Sequence, residues 1–394
     1  MSESVMSLGL PRRPPVDRLS ALLGLACGAA LGLLPFVVVK ASRIASGEAL
    51  SLIGSMPRTW AAAVVVLLAA AALSATFTAS DRVRLCAALA GVVLTAVAVA
   101  RAADALTPAG SRIVRISPGV GFWVLLIAFA LIATNALTRF RLSPALRVVC
   151  LLGAAALLYA AFAGGLFDTL SIMREYAVNA DRFSREARQH VLLALGSLAP
   201  AVMVGIPIGI LCHRVPRVKG AILQTLNLIQ TIPSIALFGI LMVPLAAIAE
   251  AFPWAGELGV HGIGAAPAVI ALFLYALLPV VANTAVGLGR VSPATVEAAR
   301  GMGMTHWQVL RQVEFALALP VILTGIRIVL VQNIGLVTIA ALIGGGGFGT
   351  FVFQGIGQTA IDLVLLGAIP TVALAFSCAV VLDALVDTLN RSPP

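Results

Sequence analysis

The chain has 394 residues, 60% of them hydrophobic and 11% charged, with a mean hydropathy of +1.06. Soluble domains carry about 25% charge, so this composition excludes an ordinary water-facing surface and describes a polytopic helical membrane protein. The net charge of +10 is read as basic cytoplasmic loops, where Lys and Arg accumulate, and not as a nucleic-acid surface.

A spanning helix needs about 20 mostly apolar residues, because unpaired backbone groups are not tolerated in lipid. The sequence predicts ten spans, at 21–39, 60–78, 85–100, 119–137, 145–167, 190–212, 220–248, 267–289, 320–343 and 361–386. The first follows PRRPPVDR. Its run is longer than the roughly 7–15 apolar residues of a signal peptide, so it reads as an uncleaved span. The seventh contains Pro233 and Pro244 and is expected to kink or break. Cys27, Cys86, Cys150, Cys212 and Cys378 lie in or at the end of apolar runs without metal-ligand spacing, and read as small core residues.

With the N-terminus inside, cytoplasmic segments hold fifteen Lys and Arg and outside segments ten, with Arg327 within a span. After residue 190 the distribution is seven inside and none outside. Both termini are therefore expected in the cytoplasm. The chain divides into an N-terminal membrane region of about five helices (1–167), a polar periplasmic segment (168–189) and a second membrane region (190–394). The polar segment, DTLSIMREYAVNADRFSREARQ, is expected to form an interfacial helix.

Residues 292–320, SPATVEAARGMGMTHWQVLRQVEFALALP, interrupt the apolar pattern. A central charge costs about 2.5–3.5 kcal/mol on insertion scales, and Glu297, Arg300, Arg311 and Glu314 together exclude a span. The segment is a cytoplasmic helical hairpin. Ser292-Pro293 fits an N-cap and first helical position, Gly301 and Gly303 a stop, and Thr305 to Gln308 a capping box. Trp307, Leu310, Val313 and Leu317 form an apolar stripe on the second helix. The first helix offers mainly alanine and one acid, a shape suited to another protein's groove.

Glu297-Ala298-Ala299, three residues, then Gly303 resembles the EAA motif of ABC-importer permeases. The family pattern continues with an aliphatic residue, matched by Val313, and a Leu-Pro, whose place Phe315-Ala316 takes; Leu319-Pro320 follows four residues later. The stretches LNLIQTIPSIALFGILMVPLA, ALFLYALLPVVANTAVGL and IAALIGGGGFGTFVFQGI resemble permeases that import glycine betaine, choline and related osmoprotectants. The resemblance covers roughly residues 190–388, and the hydrophobic N-terminal half narrows it to the longer YehY-type permeases.

That resemblance implies an all-α inner-membrane protein of about ten helices with a type I ABC-importer permease core in its C-terminal half, without an ATPase site of its own. It implies that Glu297, Ala298, Ala299 and Gly303 in the hairpin at 292–319 dock on a cytoplasmic ABC ATPase dimer, which uses the ATP; the chain itself would bind no cofactor. A periplasmic substrate-binding protein and a second permease subunit, identical or homologous, are the other implied partners beside the bilayer.

Gln224, Asn227 and Gln230 fall on one helical face, and Asn283, Gln332 and Asn333 lie on two other helices. Buried amides in a membrane either bond neighbouring helices or line a wet path, and both readings stand for these six. GGGGFG (344–349) lacks the Lys-Ser/Thr of a P-loop and lies outside, so it reads as a sharp re-entrant turn at an outer rim or gate. Arg327 reads as structural. The alternatives are a permease for another small solute such as an amino acid, and an ion-coupled secondary transporter. The latter would use intramembrane carboxylates such as Asp362 and Asp383, and would often show inverted repeats, which are not evident.

Overall fold

A computed structural model describes residues 18–42, 45–108, 113–140 and 142–390. Two compact units are present: residues 1–141 with 158–174, and residues 142–157 with 175–394.

In the first unit, α1 (Arg18–Gly32) has 15 residues and ends before Pro35. At 1.5 Å per residue it is about 22 Å long, short of a hydrocarbon core of about 30 Å. The expected first span therefore does not form as one helix. Its second half, the β-branched run Val37-Val38-Val39, becomes strand β1 (Val37–Lys40), as χ1-restricted side chains favour. β1 pairs antiparallel with β2 (Glu48–Leu50) and with β3 (Arg115–Pro118), giving the order β2-β1-β3. Helices α2 (Arg58–Phe77), α3 (Asp81–Leu106) and α4 (Val120–Arg139) match their expected spans, and the expected short third span is the longest of them. The turn from α2 to α3 is closed by Arg84. This buried guanidinium bonds the carbonyls of Ala75 and Thr78 and the Asp81 carboxylate, so its charge is paired where it leaves water.

Helix α5 (Pro144–Ala163) buries only Pro144 within the chain. An apolar helix exposed on every side is stable in lipid and not in water. Of the cysteines, Cys27 and Cys212 are buried as expected, whereas Cys86 and Cys150 are exposed on α3 and α5.

The second unit is built on α6 (Ser171–Arg214), which runs 44 residues with one non-helical residue at Asn179. The expected interfacial segment and the sixth span are thus one element. The seventh span breaks at Ile232-Pro233 into α7 (Pro216–Thr231) and α8 (Ser234–Ala251), while Pro244 stays inside α8. A five-residue turn, α9 (Pro253–Glu257), precedes α10 (Ala265–Gly289). The short α11 (Pro293–Gly301) and α12 (His306–Gln308) lead through a π-helical segment, Val309–Glu314, into α13 (Phe315–Ala340). The short α14 (Gly349–Gly357) and the long α15 (Ile361–Asn390) complete the unit. Among the described residues nine helices are long and apolar enough to cross a membrane, one fewer than expected because the first run divides between α1 and β1.

Helix α10 is the most enclosed, with Ala271, Leu272, Val280 and Val281 at 1% exposure or less. Lipid tails are as apolar as Leu, so close approach of backbones and not water exclusion holds such helices together. Gly205 and Gly209, one turn apart on α6, supply that approach. A Cβ on Gly209 would lie 2.5 Å from Thr284 Cβ and 2.9 Å from the Val281 carbonyl on α10. Gly209→Val is expected to lower the unfolding midpoint of the detergent-purified protein, at a cost of about 1–3 kcal/mol for overpacking. Gly196→Ala on the same helix meets nothing within 4 Å and should leave the midpoint unchanged or raised. Equal midpoints for both variants would contradict the α6–α10 packing.

Candidate functional site

The polar hairpin at 292–319 is set by local chemistry. Ser292 occupies the N-cap of α11, but its side chain makes no capping bond; Pro293, which lacks an N–H, opens the helix. At the other end Gly303 has φ +82. The Gly303 amide donates to Arg300 O at 2.9 Å and the Met304 amide to Ala299 O at 3.3 Å. These two bonds and the left-handed glycine make a Schellman closure. Thr305 then forms the expected capping box: Gln308 N–H donates to Thr305 Oγ1 at 3.3 Å, and Thr305 N–H to Gln308 Oε1 at 2.8 Å.

The triplet Glu297-Ala298-Ala299 divides by face. Ala299 is 2% exposed and packs inward, whereas Glu297, Ala298 and Arg300 face outward. Met302 at 76% and Trp307 at 66% extend this exposed surface. The arrangement suits docking: an acid, a residue small enough for close approach, and two large apolar side chains beside them.

The stripe expected at Trp307, Leu310, Val313 and Leu317 is not the buried face. Val309, Glu314, Ala318 and Ile322 are buried instead, and Leu317 is 57% exposed. The cause is the π-helical segment, whose extra residue per turn replaces an i+4 step with i+5 and rotates everything after it. The same rotation carries Glu314 inward to 3% exposure, where it pairs with Arg214 at the end of α6. The hairpin's second arm is therefore continuous with α13.

Between α13 and α14, the run from Gly344 to Phe348 is a loop in which Gly344, Gly346 and Gly347 have φ between +78 and +84. That region is open to glycine at little cost. It leads into α14, whose nine residues are too short to span. Three side chains of α6 hold the loop. Glu186 Oε2 accepts from Gly347 N–H at 2.7 Å, Gln189 Nε2 donates to Gly345 O at 3.1 Å, and His190 Nδ1 accepts from Phe348 N–H at 3.2 Å. His190 Nε2 then donates to Ile334 O of α13 at 3.0 Å. Arg182 Nη1 donates to Gln354 Oε1 of α14 at 2.8 Å.

The six amides separate into two groups. Gln230 Nε2 donates to Tyr275 O at 2.6 Å, Asn283 Nδ2 to Pro279 O at 2.8 Å, and Asn333 Nδ2 to Ser197 Oγ at 2.9 Å; these three serve helix structure and packing. Gln224 and Asn227 are exposed and line an open groove of about 330 Å³ between α7 and α10, with Leu223, Leu278 and Ala282. Gln332 is half-buried. A larger groove of about 590 Å³ in the first unit, between α1 and α2, is lined almost wholly by Ala, Gly and Leu and carries no ionisable group. Arg327 pairs with Asp383 of α15, and Arg147 of α5 bonds Asp383 at 2.9 Å and Asp387 at 2.8 Å. Asp383 is thus held between two arginines. These ion pairs, and that of Arg214 with Glu314, join residues 56 to 240 positions apart, so no sequence periodicity signals them.

Residues 17–173 match the family described as ABC transporter permease YehY, N-terminal domain, and residues 205–393 match the binding-protein-dependent transport system inner membrane component. The osmoprotectant import permease protein OsmW of Salmonella typhimurium is 42% identical over 57% of this chain and 95% of its own length. A glycine betaine/carnitine/choline transport system permease protein of Bacillus subtilis, OpuCD, is 37% identical over 55% and 86% of the two chains. A chain of the MetNI methionine ABC transporter aligns with a TM-score of 0.46 at 21% identity, over 53% of this chain and 96% of that one. The matched core contains both the exposed Glu297–Gly303 surface and the clamped glycine loop, and with nine candidate spans among the described residues the chain belongs to the inner-membrane permease family of binding-protein-dependent ABC importers.

Proposed function

We propose that this permease carries a small osmoprotectant such as glycine betaine into the cytoplasm, driven by a separate ATPase dimer and supplied by a periplasmic binding protein. The observation that carries the reading is the exposed face of α11, where Glu297 and Ala298 point outward beside Met302 and Trp307 while Ala299 and the Gly303 closure hold the helix in place. Such a face is built to receive a partner, and the seven Lys and Arg inside against none outside after residue 190 support a cytoplasmic position for it and for the C-terminus. The permease relatives named for osmoprotectants, glycine betaine, carnitine and choline support the solute class over an amino acid. A second permease subunit, identical or homologous, completes the path, and Gln224 and Asn227 in the α7–α10 groove are its proposed polar lining. The 6% aromatic content leaves little for an aromatic cage around a quaternary ammonium, so tight recognition is assigned to the binding protein.

Reconstitution of the chain in proteoliposomes with its ATPase and binding protein tests this reading. Labelled glycine betaine should enter only when ATP and both partners are present. Uptake without ATP or without the ATPase would overturn the importer mechanism. Uptake of an amino acid with no movement of quaternary amines would reassign the solute.

A further inference from the structure

The two ends of the second unit share one helix. At its cytoplasmic end, Arg214 closes α6 and pairs with Glu314, the last residue of the π-helical segment that follows the docking hairpin. At its outer end, the same helix holds the glycine loop through Glu186, Gln189 and His190. Twenty-eight residues separate Glu186 from Arg214, about 42 Å of helix at 1.5 Å per residue. That is the thickness of a bilayer with its headgroups, about 40–45 Å. A single element therefore touches the ATPase side and the outer side.

Glu314 is placed for this purpose by the π-turn. Regular α-helical spacing from Val309 would bring Gln312 or Val313 to the buried face; Gln312 is exposed and Glu314 is 3% exposed. A carboxylate withdrawn from water needs a charged partner, and Arg214, 36% exposed along its side chain, supplies it. Between the two joints α6 carries Pro200 and Pro207. Each removes an amide from the helical ladder, so within the stretch between the joints these are the positions that bend most readily. The hairpin already reaches the outer loop covalently through α13. The ion pair adds α6, and His190 ties the outer parts of the two helices together at Ile334 O.

On the proposed reading of the chain as an ATP-driven permease, we propose that Arg214 and Glu314 are positioning residues for energy coupling: they make α6 follow the docking hairpin, and α6 carries that movement to the outer loop through Glu186 and His190. Neither residue touches the exposed Glu297–Ala298 face, so ATPase docking does not depend on them. Loss of the pair should uncouple hydrolysis from transport without preventing hydrolysis.

The experiment uses the full permease–ATPase–binding-protein assembly and measures ATP hydrolysis and glycine betaine uptake in parallel. Glu314→Gln and Arg214→Gln should each retain hydrolysis while solute moved per ATP falls about tenfold. The double exchange Arg214→Glu with Glu314→Arg should recover at least half of the original ratio. Glu186→Gln, at the other joint, should show the same loss of solute per ATP. An unchanged ratio in the single variants would overturn the proposal. So would a loss of both activities that the exchange does not recover, since that marks a purely structural pair. An unchanged ratio in Glu186→Gln would overturn the outer half of the path. Absence of ATP-driven uptake in the unsubstituted assembly would instead count against the functional reading itself.

Discussion

Gly349→Ala is expected to abolish uptake and to lower the thermal stability of the purified permease sharply. Gly349 opens α14 against α13, and a Cβ there would lie 1.9 Å from Thr338 O, 2.6 Å from Thr338 C and 2.8 Å from its Cα. These are backbone atoms of a membrane helix, so no side-chain rotation relieves the overlap. Overpacking costs about 1–3 kcal/mol where side chains can adjust, and here the cost should lie at or above the upper end. The loop and α14 would be displaced, breaking the bonds from Glu186 and His190 to Gly347 and Phe348. Gly357→Ala is the control, since its Cβ meets nothing within 4 Å. Melting in detergent micelles and vesicle uptake give the two readouts. Unchanged melting and uptake in Gly349→Ala would show that the loop does not seat on α13 as described.

Glu297→Lys should produce the other large loss, by a different route. Glu297 is exposed and has no part in the core, and such surface changes are usually within about 0.5 kcal/mol in stability. The protein should therefore fold and insert normally. On the proposed docking, its binding to the ATPase should weaken at least about tenfold, corresponding to about 1.4 kcal/mol, because the reversed charge would oppose a partner surface that complements the acid. Uptake should fall in parallel. Co-purification of the ATPase with the permease, quantified beside uptake, checks the expectation. Undiminished association in Glu297→Lys would remove this acid from the docking surface. Comparison with Glu314→Gln is informative: the first should lose the partner, the second keep the partner and lose the coupling.

Residue chemistry along the chain made much of this legible. Spans two to six and eight to ten were readable because lipid imposes one rule, that about 20 apolar residues close their own hydrogen bonds in a helix. The hairpin was readable for a related reason, since the Gly303 turn and the Thr305–Gln308 box involve residues only three to five apart. The first apolar run satisfies the hydropathy rule, yet the pairing of Val37–Lys40 with strands 48–50 and 115–118 decides its conformation. After Val309 a single π-turn shifts the helical phase away from the apolar stripe, and residue spacing alone carries no mark of it.

The amino-acid sequence by itself determined that this is a multi-span membrane protein, with a charged hairpin outside the lipid and a glycine-rich turn between its last spans. Both conclusions follow from local physics: hydrophobic length, charge cost, capping and backbone freedom. Only the tertiary structure decided which amides serve packing and which line a groove, that Asp383 sits between Arg147 and Arg327, and that Arg214 meets Glu314 across 100 residues. Those outcomes depend on which helices become neighbours, and in a membrane that choice is made by close backbone approach and a few polar pairs. Hydrophobic pattern, nearly the same on every span, cannot distinguish one neighbour from another.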